Sequence, residues 1–169
     1  MKRVILVGCP GSGKSTLAKR LGEMTGLPVI HLDSLYWKPG WVASEPAEWR
    51  GTLAQLLERD EWLLDGNYTS TFEQRLKRAD TVIMFDFPRW LCLYRVLKRV
   101  YLYRKQVRSD MAQGCPERLD WAFLKWVWSF RKRSRPLLLD KLENARSTHR
   151  VILFRKPQEV EAFLRDIES

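Results

Sequence analysis

The chain predicts an α/β fold, three αβα layers built around a five-stranded parallel sheet of the P-loop NTPase kind. Three observations carry this. Short apolar runs recur five times, segments with helical spacing separate them, and the first run leads directly into a glycine-rich turn that opens a helix. Strands that alternate with helices pair in parallel through right-handed crossovers.

The first run, Val4-Ile5-Leu6-Val7, is too short for a helix, is rich in β-branched residues and stops at Gly8, the pattern of a strand buried on both faces. From Gly8 the chain reads G-x-x-x-x-G-K-S, closing on Gly13-Lys14-Ser15, and Leu17, Leu21 and Met24 then repeat at helical spacing. Gly8, Gly11 and Gly13 can adopt positive φ and carry no Cβ, so successive backbone N–H groups can converge on a polyphosphate at the positive end of the helix. Ser12 and Thr16 belong to the same cradle. Lys14 is placed to bridge the β- and γ-phosphates, and the Ser15 hydroxyl to take a Mg²⁺ position. Strand, turn and helix stand in the order that NTP·Mg²⁺ binding requires.

A second strand, Val29 to Asp33, follows the break at Gly26-Leu27-Pro28. It sets Asp33 at the strand edge where ligands bind in open α/β sheets, or else at a helix cap beside Ser34. Leu35 to Trp41, broken by Pro39-Gly40, reads as a loop whose Tyr36, Trp37 and Trp41 either stack on a planar acceptor or plug the loop's base. Glu48 to Asp60 is a helix packed through Trp49, Leu53, Leu56 and Leu57. A third strand closes on Asp65, and the polar loop through Tyr68 caps a short helix bearing Arg75, either a ligand for an acceptor or a solvated arginine. The fourth strand, Thr81 to Asp86, ends in a carboxylate suited to hold Mg²⁺ or to cap the next helix, which Pro88 opens. Along that helix Leu91, Tyr94, Leu97 and Tyr101 share one face while Arg95, Lys98 and Arg99 lie elsewhere.

Residues 104–118 are poor in apolar side chains and read as a mobile loop with arginines at both ends, able to close over a transferring phosphoryl group or simply to stay solvated. The next helix buries Leu119, Ala122, Phe123, Trp126, Val127 and Phe130. Its second stripe, Trp121, Lys125, Trp128 and Lys132, is either a nucleic-acid platform or is packed beneath a neighbour. The basic run Arg131 to Arg135 meets Pro136, Val151 to Phe154 is the fifth strand, and Val160, Phe163, Leu164 and Ile167 line a closing amphipathic helix. No repeat or second boundary interrupts residues 1–169, so we expect one domain, a core of 1–103 and 119–169 with a lid at 104–118.

At 169 residues and 45% hydrophobic content the chain can bury a full core without staples. Three widely spaced cysteines, with no C-x-x-C pair, suggest neither a disulfide framework nor a zinc ribbon and fit a reducing cytoplasm. No run approaches the length of a membrane span, so no membrane partner is expected. The net charge of +10 is concentrated: between Pro88 and Arg135 thirteen Lys or Arg stand against three acids, which accounts for the whole excess. Such a block binds nucleic acid or grips the phosphates of a small substrate.

The strings H31-L-D-S-L-Y-W-K-P-G-W41, D65-G-N-Y68, F85-D-F-P-R89, L91-C-L-Y-R95 and G114-C-P-E117 resemble the adenylate-kinase-like proteins of the DNA topology modulation (FlaR-type) family over nearly the whole chain. The wider kinase resemblance implies sheet order 2-3-1-4-5 and ATP as donor. It also implies a lid whose arginines include Arg104 and Arg108 in an R-x-D pattern with Asp110, and Arg118 further on. Asp86 resembles the strand-end aspartate near Mg²⁺, and the turn Arg155-Lys156-Pro157 lies where such kinases hold adenine. No T-G-D segment for AMP follows the second strand, so the acceptor stays open.

The expectation is therefore an ATP·Mg²⁺-dependent phosphotransferase acting on a small acceptor. Lys14, Asp33, Arg104 and Arg108 are the candidate catalytic residues, with Asp33 orienting or deprotonating a hydroxyl. Ser15 and Asp86 are the candidate metal ligands, Arg155 the nucleotide contact beyond the loop. Asp33, Tyr36, Trp37, Asp65, Tyr68 and Arg75 are candidates for the acceptor. The competing expectation is an ATP-binding protein that modulates DNA topology through the basic block, with weak nucleic-acid binding at 88–135. A GTPase switch is disfavoured because no N-K-x-D base-reading motif occurs.

Overall fold

The computed structural model describes residues 1–104 and 106–168; Lys105, inside the expected lid, lies outside the described residues. In chain order the elements are β1 (Arg3–Gly8), α1 (Lys14–Thr25), β2 (Val29–His31), α2 (Leu32–Tyr36), β3 (Trp37–Lys38), β4 (Val42–Ala43), α3 (Pro46–Leu57) and β5 (Trp62–Asp65). A 3-10 turn (Thr69–Thr71) leads into α4 (Phe72–Leu76), then β6 (Thr81–Phe85), α5 (Arg89–Leu102), α6 (Trp121–Ala145), β7 (Arg150–Phe154) and α7 (Pro157–Glu168).

The main sheet has the order β2-β5-β1-β6-β7, every pair parallel, which is the expected 2-3-1-4-5 once the two short strands outside it are set aside. Central β1 is enclosed by helices on both faces, and its Val4 to Val7 are fully buried. In register, Leu6 stands beside Asp65 of β5 and Ile83 of β6, so the strands' carboxyl ends meet at one edge. All three cysteines are free and buried, and among the described residues no helix is long and apolar enough to cross a membrane.

Four local features depart from, or go beyond, the sequence pattern. The second strand stops at His31, and Asp33 sits in the first turn of α2. Leu35 to Trp41 is ordered as the end of α2 and the antiparallel hairpin β3-β4, whose turn uses positive φ at Gly40 and Trp41. Pro136 does not end a helix: α6 continues through it to Ala145, because Pro136 lies on the exposed side, where the carbonyl it leaves unbonded can take water, and Leu138 and Leu142 bury the continuation.

The fourth change bears most on the site. Helix α5 is turned the other way from its aromatic stripe. It buries Cys92 and Val96 and half-buries Arg95 and Arg99, while Tyr94, Leu97 and Tyr101 face solvent. The arginines find partners inside, Ser12 O for Arg95 at 2.9 Å and Glu117 for Arg99 at 3.0 Å. Those charge-assisted bonds outweigh the modest cost of leaving two tyrosines wet.

The described residues of 104–118 form neither helix nor strand beyond one bridge from Arg104 to Glu117, yet they are held. Met111, Ala112 and Cys115 make a small apolar core with Trp37 and Trp41 of the hairpin. Gly40 N–H donates to Gly114 O (2.9 Å), Trp41 Nε1–H to Pro116 O (3.2 Å) and Cys115 S–H to Lys38 O (3.2 Å). The hairpin therefore clasps the segment that low hydrophobicity alone marks as a free loop.

Candidate active site

A cleft of about 760 Å³ opens along the carboxyl edge of the sheet, floored by the turn after β1 and roofed by the 104–118 segment. At its floor Gly8 (φ 140°) and Gly11 (φ 79°) show why glycine is needed: a Cβ would meet Phe85 O or Cys92 O at 2.4 Å. Gly13 then opens α1 in the left-handed region. Lys14 is nearly buried and its Nζ donates to Gly8 O (3.0 Å) and Cys9 O (3.1 Å), which keeps the ammonium inside the loop. The Ser12 hydroxyl is buried with no protein partner, a polar atom that a phosphate oxygen would satisfy. These features fit a polyphosphate. Lys14→Ala should weaken ATP affinity roughly ten- to a hundredfold, the worth of one charge-assisted contact, in a calorimetric titration of the folded variant.

Next to this floor the cleft is lined by Asp33, Asp65, Asn67, Tyr68, Trp37 and Trp41. Asp65 is buried: burial pushes its carboxyl up, but His31 at 2.9 Å, the Lys14 charge and the adjacent Ser15 hydroxyl prevail and hold it below the usual carboxylate range. Asp33 behaves oppositely. Burial raises it and nearby Asp65 adds to the rise, while the Tyr68 hydroxyl, donating at 2.5 Å, opposes it, and the net direction is upward. The site thus holds two carboxylates pushed apart, one kept ionised beside the loop and one inclined to accept a proton. Tyr68 holds its position with a strained backbone, φ 30°.

The Asn67 side chain ties the two ends together. Its Oδ1 accepts from Gly8 N–H and its Nδ2 donates to Gly8 O, both at 2.9 Å, so the loop after β5 is registered on the loop after β1. Arg75 fixes that loop from below. It is fully buried, not solvated, and its guanidinium donates to the carbonyls of Gly66 (2.9 Å), Asn67 and Tyr68 (3.1 Å); it does not line the cleft.

From the roof, Arg95, Arg99 and Arg108 reach the cleft. Glu117 pairs with Arg99 and lies 2.9 Å from Arg108 Nε, though not in line for a hydrogen bond there, while Arg108 also holds Asp110 at 3.0 Å. Arg104 is exposed and contributes no side chain to the cleft. Tyr36 is likewise absent from the lining: it packs against Trp49 and Tyr68, plugging the base of the hairpin. At the opposite end Pro157, Val160 and Glu161 line the cleft beside Arg20 and Thr16. Arg155 of the same turn stays exposed, its N–H donating to Glu159.

The expected metal pair is not brought together. Both Asp86 oxygens are taken by Arg135, at 2.5 and 2.8 Å, and Asp86 does not line the cleft, whereas Asp65 stands beside Ser15. Among the described residues no cluster of three His, Cys, Asp or Glu could hold an ion. The donor set suits Mg²⁺ bound mainly by phosphate oxygens, with one hydroxyl and one carboxylate from the protein. Asp65→Asn should reduce the Mg²⁺ dependence of ATP affinity, while Asp86→Asn should leave it and cost about 1.5 to 3 kcal/mol of stability. Titrations with and without Mg²⁺ and a urea melt separate the two.

Sequence reasoning missed Arg95, Arg99 and Asn67. The first two are spaced i, i+4 on a helix that starts at the sheet edge, a signal hidden by the aromatic stripe; Asn67 falls inside the D65-G-N-Y68 string, but no spacing or composition gives it a role. The basic block is divided. Arg95, Arg99, Arg108 and Arg135 are engaged as described, and Arg89 lies over the Trp128 ring at 4.2 Å, while Lys98, Arg104, Arg118, Lys125, Arg131, Lys132 and Arg133 are exposed.

Over 92 residues the chain is 32% identical to the adenylate kinase of Thermotoga petrophila, covering 53% of this chain and 41% of that one. It is 30% identical over 100 residues to the adenylate kinase of Thermosipho africanus, covering 57% and 45%. The chain thus spans less than half the length of these relatives. By fold it is similar to shikimate kinase from Acinetobacter baumannii in complex with shikimate (TM-score 0.62, 18% identity, 99% of this chain and 91% of that one). It is also similar to a gluconokinase from Sinorhizobium meliloti 1021 (TM-score 0.55, 15% identity, 98% and 89%). The family model AAA_18, described as an AAA domain, matches residues 4–108, and the chain belongs to that family.

Proposed function

We propose that the chain is an ATP- and Mg²⁺-dependent phosphotransferase that moves the γ-phosphoryl group to a hydroxyl of a small acceptor, with residues 104–118 as its lid. The observation that carries this is Asp33: a carboxylate with a raised proton affinity shares one cleft with the phosphate loop. A protein that only bound nucleotide would have no use for a proton acceptor, and one that only hydrolysed it would have no use for the wall of Trp37, Trp41 and Tyr68 beside that acceptor. Similarity to adenylate kinases, and a fold shared with two small-molecule kinases, support the same reading.

On this reading the loop amides, Ser12 and Lys14 hold the phosphates, and the nucleoside runs toward Pro157 and Val160. Ser15 and Asp65 hold Mg²⁺, which when bound neutralises phosphate charge. The acceptor lies against Trp37, Trp41 and Tyr68. Asp33 takes the proton from its hydroxyl, with Tyr68 fixing which oxygen faces it. Arg95 and Arg108 face the charge that develops on the transferring group, and the clasped lid excludes water. The motifs that carry the likeness to FlaR-type proteins, 31–41 and 65–68, supply most of this acceptor wall, so those proteins would share the acceptor.

The experiment is a screen of hydroxyl-bearing small molecules for ADP production above the acceptor-free background. One class should stimulate turnover strongly and saturably. A flat response across sugars, polyols, nucleosides and nucleotides would contradict the proposal.

A further inference from the structure

The outer side of α5 and α6 carries apolar side chains that none of the described residues covers. The helices run antiparallel, with Trp90 against Trp128 (ring centroids 4.5 Å apart) and Arg99 over Phe123 (5.9 Å). The end of α5 and the start of α6 therefore meet at one tip, which the Arg104–Glu117 bridge closes. There Tyr101 (84% exposed), Leu102 (55%), Leu119 (50%) and Trp121 (76%) all stand in water. A single exposed leucine needs no explanation, but a cluster of large apolar side chains at one projecting end marks an interaction site.

The flanks of this tip are cationic, with Lys98, Arg104 and Lys125 exposed around it, and Arg118 exposed but paired with Asp120. Helix α5 contains no acid and α6 none before Asp140. The acids nearest in sequence are engaged, Glu117 by Arg99 and Arg108, and Asp120 by the N–H of Phe123 and by Arg118.

We propose that this tip docks on an anionic phospholipid bilayer, its Tyr, Trp and Leu side chains entering the headgroup region while the lysines and arginines meet lipid phosphates and carboxylates. Tyr and Trp are the residues that favour that interface, and a basic rim gives it charge selectivity. The same features argue against other occupants. A second copy would set two acid-free cationic faces against each other. A nucleic acid would pair with the cations and stack on the rings but would leave Leu102 and Leu119 unused, and the surface is a ridge of two helices rather than a groove that tracks a strand.

The test is co-sedimentation of the intact protein with phosphatidylcholine vesicles and with vesicles containing about 30% phosphatidylserine, at physiological salt. The protein should partition onto the anionic vesicles and only weakly onto the neutral ones. Lys98→Gln with Lys125→Gln should lower partition roughly thirtyfold, at about fivefold per cation, and Tyr101→Ser with Trp121→Ser at least tenfold. All four side chains are exposed and outside the cleft, so ATP affinity should be unchanged and certifies the fold. No partition, equal partition onto both vesicles, or partition insensitive to both variants would overturn the proposal. So would binding of an oligothymidylate, or a concentration-dependent dimer in sedimentation equilibrium, that both variants abolish while vesicles stay bare.

Discussion

Asp33→Asn should lower phosphoryl transfer by about two to four orders of magnitude, the range a positioned general base contributes, and should raise the melting temperature at neutral pH. Asparagine keeps the shape and can still accept from Tyr68, so the loss in rate reports the proton-accepting role. The gain in stability follows from linkage. Burial and Asp65 lift the folded Asp33 carboxyl above its unfolded value, against the Tyr68 bond. Between those two values the folded chain holds a proton that the unfolded chain releases, so stability falls as pH rises through the interval, and the cost is complete only above the folded value. An amide does not titrate and removes that cost. In the wild type the acid limb of the kcat/KM profile should lie above the ordinary carboxylate range near about 4, and it should be missing from the variant's residual rate. A variant with normal turnover, or with the same acid limb, would remove Asp33 from the chemistry.

Arg75→Met should cost about 2 to 4 kcal/mol of stability and weaken ATP binding although Arg75 does not itself line the cleft. Methionine fills much of the same space but leaves the carbonyls of Gly66, Asn67 and Tyr68 without donors, each worth about 1 to 3 kcal/mol when buried and unsatisfied. Part of that is offset because a buried guanidinium is itself expensive: burial, only partly opposed by Tyr68, pulls Arg75 down to about 9. Once the 66–68 loop is loose, the paired bonds between Asn67 and Gly8 loosen with it, and the phosphate loop loses its register. Arg75→Lys should not rescue, since one ammonium cannot reach three carbonyls in a plane. Urea denaturation with an ATP titration checks both effects; an unchanged midpoint would show that the loop stands without its clamp.

These two residues also mark where the sequence is legible. The sheet and its order follow from apolar runs and crossovers, and the phosphate loop from a fixed spacing, because both depend on local pattern. Asp33, Asp65 and Tyr68 sit near strand ends and could be placed at the ligand edge before any coordinates. Arg75 could not: a lone arginine on a short helix gives no sign that three loop carbonyls converge on it from seven to nine residues upstream. Asp86 misled for the same reason. Its strand-end position matches a metal ligand, and only the distant Arg135, delivered by a helix that continues through Pro136, takes its oxygens away. The phase of α5 was hidden because its aromatic stripe is the usual mark of a buried face, while the arginines that face inward find their partners in Ser12 and Glu117, far along the chain.

The most direct test of the phosphotransferase account follows the label rather than the loss of ATP. The protein is incubated with ATP labelled in the γ-phosphate and a fractionated pool of small hydroxyl compounds, and the fate of the label is resolved by chromatography for the wild type and Asp33→Asn. The account predicts label in an acid-stable organic phosphate with the wild type and none with the variant. Label recovered only as inorganic phosphate, at equal rates from both proteins, would contradict it.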